Sequence, residues 1–290
     1  MKYAYYPGCS LEKTQRGYDE SVRAVFKELD QELVEIEDWN CCGATMYMSI
    51  QETVALAVSA RNLALAEKMG LDIIAPCSSC YTVLFKTNRI LNQLPEMFAD
   101  VNEALAEGSL SYSGKTKVRH PLDILMNDVG IDQILKKVKR NLNGLKIAPY
   151  YGCQIVRPDK TFDDREDPIL MDKLFRKCGG EIVYYPMKVR CCGGMLMTTF
   201  EDTAIRLNKD LLECASVHGA DVIVTTCPLC HMNLEAYQDK INSKFGTNFS
   251  MPILYFTQLL GIALGIKDKT IGLDSGFIPL GKKIASLVEA

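Results

Sequence analysis

Ten of the twelve cysteines in this 290-residue chain fall into two sets of five at matched spacing. The first set is Cys9, the adjacent pair Cys41-Cys42 followed by Gly43, and Cys77 with Cys80. The second is Cys153, the pair Cys191-Cys192 followed by Gly193, and Cys227 with Cys230. In both sets 34 residues separate the adjacent pair from the Cys-x-x-Cys, and the adjacent pairs stand 150 residues apart. Each set opens with a Gly-Cys on a tyrosine-rich segment, Tyr5-Tyr6-Pro7-Gly8-Cys9 and Tyr150-Tyr151-Gly152-Cys153. Such thiols suit soft metals and redox chemistry. Four thiolates complete a tetrahedral zinc site or a cubane [4Fe–4S] cluster. Five exceed both. Either one cysteine is spare in each set, or the group held is not a plain cubane and one thiolate bridges. Recurrence of the fifth ligand favours the second reading.

The adjacent pair constrains geometry. Neighbouring residues of a strand point to opposite faces, so both sulfurs reach one cluster only from a turn, which Gly43 and Gly193 permit. A vicinal disulfide would be a strained ring and would leave the Cys-x-x-Cys without a role. That motif alone could be a thioredoxin-like redox pair; beside three further cysteines it reads as metal binding. Cys178 and Cys214 lie outside the pattern and read as buried core thiols.

The elements that must carry these cysteines alternate between strand and helix. Residues 2–6 read as a strand delivering Cys9, and Leu11–Leu29 as a helix. Leu33–Ile36 is a strand leading into the first adjacent pair. Thr53–Met69 is an amphipathic helix stopped by Gly70, Leu71–Pro76 a buried strand ending at Cys77, and Tyr81–Leu94 a helix ended by Pro95. The second half repeats this with a strand at 145–148, a helix at 167–177, a strand at 181–185, a helix at 203–218 and a strand at 219–224. Even 251–260 resembles 117–125. Residues 96–116 and 157–166 read as loop. The tail 267–290 has no counterpart in the first half and reads as a docking or wrapping extension. The expected fold is therefore α/β, two pseudo-twofold related domains of βαβ units with parallel sheets, over 1–143 and 144–266. Every cysteine of each set follows a strand, so the carboxyl rim of each sheet gathers five scattered thiols.

Composition bounds the partners. Hydrophobic residues make up 48% and the net charge is −3 with a pI near 5.8, which gives no signal for nucleic acid. The basic run Lys136–Arg140 reads as a solvated helix face. No signal peptide is evident at the N-terminus, and the apolar stretch Met251–Ile266 is too short for a membrane span. The expected setting is the cytoplasm, where abundant cysteine favours metal or redox chemistry over structural disulfides.

The paired patterns Cys-x31-Cys-Cys-Gly-x33-Cys-x-x-Cys and Cys-x37-Cys-Cys-Gly-x33-Cys-x-x-Cys resemble the CCG domain duplicated in the B subunit of heterodisulfide reductase from methanogenic archaea, over residues 1–265. The resemblance implies Rossmann-like units and two noncubane [4Fe–4S] clusters, one held by Cys9, Cys41, Cys42, Cys77 and Cys80, the other by Cys153, Cys191, Cys192, Cys227 and Cys230. It implies reduction of the mixed disulfide of coenzymes M and B to two thiols, in methanogenesis. It also implies partners: the ferredoxin-like C subunit with two [4Fe–4S] clusters, the flavin-bearing A subunit, and a hydrogenase or formate dehydrogenase as more distant donor. No Gly-x-Gly-x-x-Gly is present, so no flavin is expected in this chain. Relatives that have lost cysteines serve lactate, glycolate, glycerol-3-phosphate or succinate oxidoreductases as electron-transfer subunits. Here both sets are complete.

On this reading two facing clusters each capture one sulfur, which avoids releasing a thiyl radical between one-electron steps. His231, beside Cys230, is the candidate proton donor, and Lys188 and Arg190 are candidate clamps for an anionic substrate. His120 reads as cluster-adjacent or structural, and His218 as a helix-end charge. The alternatives are a relay component of another dehydrogenase and a structural protein with two zinc sites.

Overall fold

The computed structural model describes residues 1–44, 46–158 and 162–289. Two four-stranded parallel sheets organise the chain, in the orders β2-β1-β3-β4 and β6-β5-β7-β8. The first comprises β1 (Lys2–Tyr5), β2 (Glu32–Glu35), β3 (Ile73–Ile74) and β4 (Val118–Arg119); the second comprises β5 (Lys146–Tyr150), β6 (Glu181–Ile182), β7 (Val222–Thr225) and β8 (Ile253–Tyr255). Ala4 pairs with Ile73 and Ile147 with Val222, so the same central junction recurs in both halves. In each sheet the chain reverses its direction of travel between the two central strands. Such a switch point leaves a crevice outside their carboxyl ends. Cys9 and Cys77 follow the central strands of the first sheet, Cys153 and Cys227 those of the second. The fold thus delivers each set where open α/β sheets bind ligands.

The halves share a core. The helix Arg16–Glu28 buries Tyr18, Val22, Val25 and Phe26, and packs on the fully buried helix Phe256–Ala263 of the second half. Ser21 and Thr257 hydroxyls meet at 2.7 Å between them. One hydrophobic cluster runs from Tyr5 and Leu63 in the first half to Leu254 and Leu260 in the second.

Several expected boundaries shift. Leu11–Leu29 is two helices, Gly8–Glu12 and Arg16–Glu28. Residues 96–116 are not all loop: Pro95 ends one helix and opens another, Pro95–Ala106, because proline at the first helical position gives up an N–H that has no partner there anyway. The stretch 251–266 is the strand β8 followed by a helix. In the expected loop 157–166, residues 159–161 lie outside those described. The tail folds back on its own chain: Gln258 donates to the carbonyls of Ile271 and Gly272 at 3.2 and 3.0 Å, and Lys283 pairs with Asp221 at 2.7 Å. Among the described residues no helix is long and apolar enough to cross a membrane.

Candidate metal centre at the junction of the two halves

The tyrosines preceding each set act in pairs. Tyr6 donates to the Asn40 carbonyl at 2.8 Å, and Tyr150 to the Arg190 carbonyl at 2.7 Å. Asn40 and Arg190 each stand just before an adjacent cysteine pair, so a buried phenol at the carboxyl end of a central strand pins each loop. Each such bond contributes roughly 1 kcal/mol. Gly8 and Gly152 are likewise matched, at φ +72° and +69°. A Cβ there would come within 3.1 Å of Cys80 Sγ and 3.2 Å of Cys230 Sγ, so only glycine lets the first and last cysteines of a set approach.

Sulfurs then meet in pairs. Cys9 and Cys41 stand 4.0 Å apart, Cys42 and Cys80 3.3 Å, and Cys192 and Cys230 3.4 Å. Backbone donors aim at them: Gly193 N–H reaches Cys191 Sγ at 3.3 Å and Gly194 N–H reaches Cys192 Sγ at 3.4 Å. Asn233 Nδ2 adds a contact to Cys192 Sγ at 3.7 Å. Cys77 and Cys227 cap the helices Ser78–Gln93 and Pro228–Glu235, where free N–H groups favour a thiolate. These two thiols also interact with each other, so the first set runs into the second.

Electrostatics follow from these contacts. Cys42 is held at about 4, first by its bond from Cys41, then by Cys80, with the Ala44 N–H assisting. Cys191 is held at about 6, chiefly by Cys153, with the Gly193 N–H and the Arg157 charge acting against burial. The hydrogen bond to Cys42 pushes Cys41 up, and that to Cys191 pushes Cys153 up. Cys227 is lowered, first by Cys230 and then by Cys77. Cys77 is pushed up, first by its bond to Cys227, Cys80 first by Cys42, and Cys230 first by Cys192. Each set therefore mixes thiolate-prone sulfurs, Cys42 in the first and Cys191 and Cys227 in the second, with protonated partners, and thiolate is the form that binds metal.

The donor set fits an iron–sulfur group. It is all sulfur, with N–H groups trained on sulfur, and such hydrogen bonds tune cluster potentials. Among the described residues, no three Cys, His, Asp or Glu side chains are gathered round a point that one metal ion could fill. A polynuclear cluster does not ask for that, because its thiolates bind different metal atoms.

A cavity of about 450 Å³ opens onto this rim. All five cysteines of the second set line it, together with Ser79, Thr82, Val83 and Lys86 from the first half and Gln154 from the second. Among the described residues, Lys86 is its one charged lining side chain. Positions 79, 82, 83 and 86 share a helical face, a pattern legible in sequence that the cysteine motifs overshadow.

The expected clamps lie elsewhere. Lys188 Nζ is buried and spent on Asp172 at 2.9 Å, Asp167 at 3.0 Å and the Pro168 carbonyl at 2.9 Å. The side chain of Arg190 is exposed and does not line the cysteine cavity. His231 faces a separate chamber of about 60 Å³ with Glu235, Gln15 and Phe277. Its ring lies flat on Tyr255 at 4.3 Å, and its Nδ1 is 3.5 Å from Glu235 Oε2. Burial lowers His231 to about 4 and raises Glu235 to about 7. His120 is structural: Nε2–H donates to the Pro76 carbonyl at 2.9 Å while Nδ1 accepts from Leu122 N–H at 3.1 Å. His218 closes a helix, 2.7 Å from the Cys214 carbonyl. Cys178 is a core thiol, raised to about 11 by burial. Cys214, expected in the core, is half-buried instead and its sulfur lies 3.8 Å from His218 Nδ1.

Comparison with known proteins places the chain in one family. The family model described as CCG: Cysteine-rich domain matches residues 3–85 and 147–235. The chain is 32% identical to the 8-methylmenaquinol:fumarate reductase membrane anchor subunit of Wolinella succinogenes, covering 97% of this chain and 98% of that one. It is 30% identical to the B subunit of the ferredoxin:CoB-CoM heterodisulfide reductase of Methanosarcina mazei, covering 99% and 97%. A protein of Archaeoglobus profundus described as like the B subunit of heterodisulfide reductase is 32% identical over 93% of each chain. A crystal structure of a hypothetical protein from Helicobacter pylori matches with a TM-score of 0.77 at 17% identity; it covers 96% of this chain, which spans 52% of that one, and speaks for the fold alone.

Proposed function

The chain belongs to the CCG cysteine-rich domain family, and from that premise we propose that it is the disulfide-reducing iron–sulfur component of an oxidoreductase complex, acting on the mixed disulfide of coenzymes M and B. The observation that carries this reading is that Tyr18 and Ser78 tie the loops of Cys77 and Cys227, which brings two complete cysteine sets together, with all five cysteines of the second set lining one open cavity. Residues 1–143 and 144–266 are the two cluster-holding domains and 267–290 an extension.

The reaction is R–S–S–R′ + 2 e⁻ + 2 H⁺ → RSH + R′SH. Two noncubane [4Fe–4S] clusters, when bound, would supply the two electrons. Cys9, Cys41, Cys42, Cys77 and Cys80 would hold one, and Cys153, Cys191, Cys192, Cys227 and Cys230 the other. The N–H groups of Gly193 and Gly194 stabilise negative charge on Cys191 and Cys192. Met48, Val83, Met195 and Leu229 supply an apolar wall. Lys86, at the rim, takes the place expected of Lys188 and Arg190 and binds the anionic arm of the substrate. Because the cavity is open at Lys86 and Gln154, protons arrive from water, and His231 in its own chamber is not needed as donor.

Electrons are fed by a ferredoxin-like protein and ultimately a flavin-bearing one, in the cytoplasm. The likeness to a fumarate reductase component supports a second reading, in which the clusters only relay charge. Anaerobic protein supplied with reduced viologen separates the two. The first reading expects turnover of the mixed disulfide to two free thiols; reduction and reoxidation of the protein with no thiol released would favour the relay.

A further inference from the structure

Tyr18 carries no motif, sits on a helix without cysteine, and is fully buried. Its hydroxyl lies 3.1 Å from the Pro76 carbonyl and 3.1 Å from the Thr226 carbonyl. These residues immediately precede Cys77 and Cys227, the cysteines at which the sets meet. One phenol thus shares its single proton between equivalent points of the two halves. Its ring is fixed independently, stacked on Tyr255 with centroids 4.0 Å apart and planes 1° from parallel, with Phe256 edge-on at 6.4 Å. Burial drives its pKa well above the ordinary value, with Cys227 and Cys77 acting in the same sense, so the hydroxyl stays a donor. Two further ties cross the same joint: Ser78 donates to the Thr226 carbonyl at 3.1 Å, and His120 Nε2–H, on Pro76, is also within reach of Thr226.

We propose that Tyr18 is a positioning residue that sets the separation of the two cysteine sets at Cys77 and Cys227, and with it the electronic coupling between the groups they hold. The proposal rests on the iron–sulfur reading above. A disulfide needs two electrons, and electron transfer falls exponentially with distance. A fixed joint lets the second electron follow before a half-reduced sulfur escapes. The residue acts through the backbone of both loops and touches neither substrate nor cluster.

Tyr18→Phe keeps the ring, its stacking and its volume and removes only the hydroxyl. The measurement is electron paramagnetic resonance of anaerobic, iron-loaded protein, reading the spin–spin interaction between the two centres, with iron content, melting temperature and steady-state disulfide reduction alongside. Expected for Tyr18→Phe is unchanged iron, a weakened interaction and a kcat lowered by up to about a hundredfold, as for a displacement of order 1 Å. Ser78→Ala, which cuts the second tie, should weaken the interaction in the same direction, and it decides the matter if Tyr18→Phe does not fold. Tyr5→Phe is the control, since it removes an equally buried hydroxyl that bonds Asp19 at 2.7 Å away from the joint. A fully loaded Tyr18→Phe or Ser78→Ala protein with the wild-type interaction overturns the proposal, as does equal weakening in Tyr5→Phe. Wild-type protein without two paramagnetic centres instead overturns the iron–sulfur reading.

Discussion

The Ser78 hydroxyl donates to the Thr226 carbonyl at 3.1 Å, which stitches the residue after Cys77 to the residue before Cys227. The bond joins chain positions 148 residues apart at the place where the two cysteine sets touch. A duplicated α/β domain need not bring its two rims together. Here the packing of Arg16–Glu28 on Phe256–Ala263 does so, and the polar knot at Pro76, Ser78 and Thr226 sets the contact.

Glycine next to the first cysteine is a steric requirement. Gly8→Ala or Gly152→Ala puts a Cβ into Cys80 or Cys230 at a positive φ. The backbone term alone costs about 1–2 kcal/mol. The expected outcome is a lower melting temperature and loss of iron from the half that carries the change, read by metal analysis of anaerobic protein.

The two lysines near the rim separate binding from folding. Lys86→Gln should raise KM for an anionic disulfide about tenfold, or about 1.4 kcal/mol, with kcat within about twofold. Lys188→Met should leave KM alone and destabilise the fold by about 3–5 kcal/mol, because Asp172 stays buried with its countercharge gone. Steady-state kinetics and chemical denaturation of both variants check the assignment.

His120 makes the protein acid-sensitive. Burial lowers it from 6.5 to about 4, so the folded state holds the neutral ring while the unfolded chain takes up a proton below about 6.5. Its contribution is complete above that value and is lost as pH falls towards 4, a change on the order of 3 kcal/mol. Glu235, raised to about 7 by burial, has the opposite sign, and its contribution declines as pH rises from the ordinary carboxylate range to about 7. Denaturation of His120→Gln between pH 4 and 7 should show a shallower acid slope than wild type.

The cysteine framework was legible because the same residue type recurs at matched spacing in both halves, and the central strands that lead to Cys9, Cys77, Cys153 and Cys227 carry their own apolar signature. Side-chain direction was not. Lys188, three residues before Cys191, looks closer to the site than Lys86, six residues after Cys80. Yet Lys188 turns beneath Tyr151 to Asp172, and Lys86 lies on the helical face that Ser79 and Thr82 present to the cavity. His231 misled for the same reason: the position after a Cys-x-x-Cys on a helix points away from the rim. Pro95 read as a stop because proline ends the preceding helix, although it opens the next. Tyr18 left no trace at all, since its partners are backbone carbonyls remote in sequence.

The central claim is that each set of five cysteines holds its own iron–sulfur cluster. Iron and acid-labile sulfide per chain, measured on anaerobically purified wild type, Cys41→Ala and Cys192→Ala, test it most directly. The account predicts about eight irons in wild type and about four in each variant, from opposite halves. Zinc in place of iron, or about eight irons retained after either substitution, would contradict it.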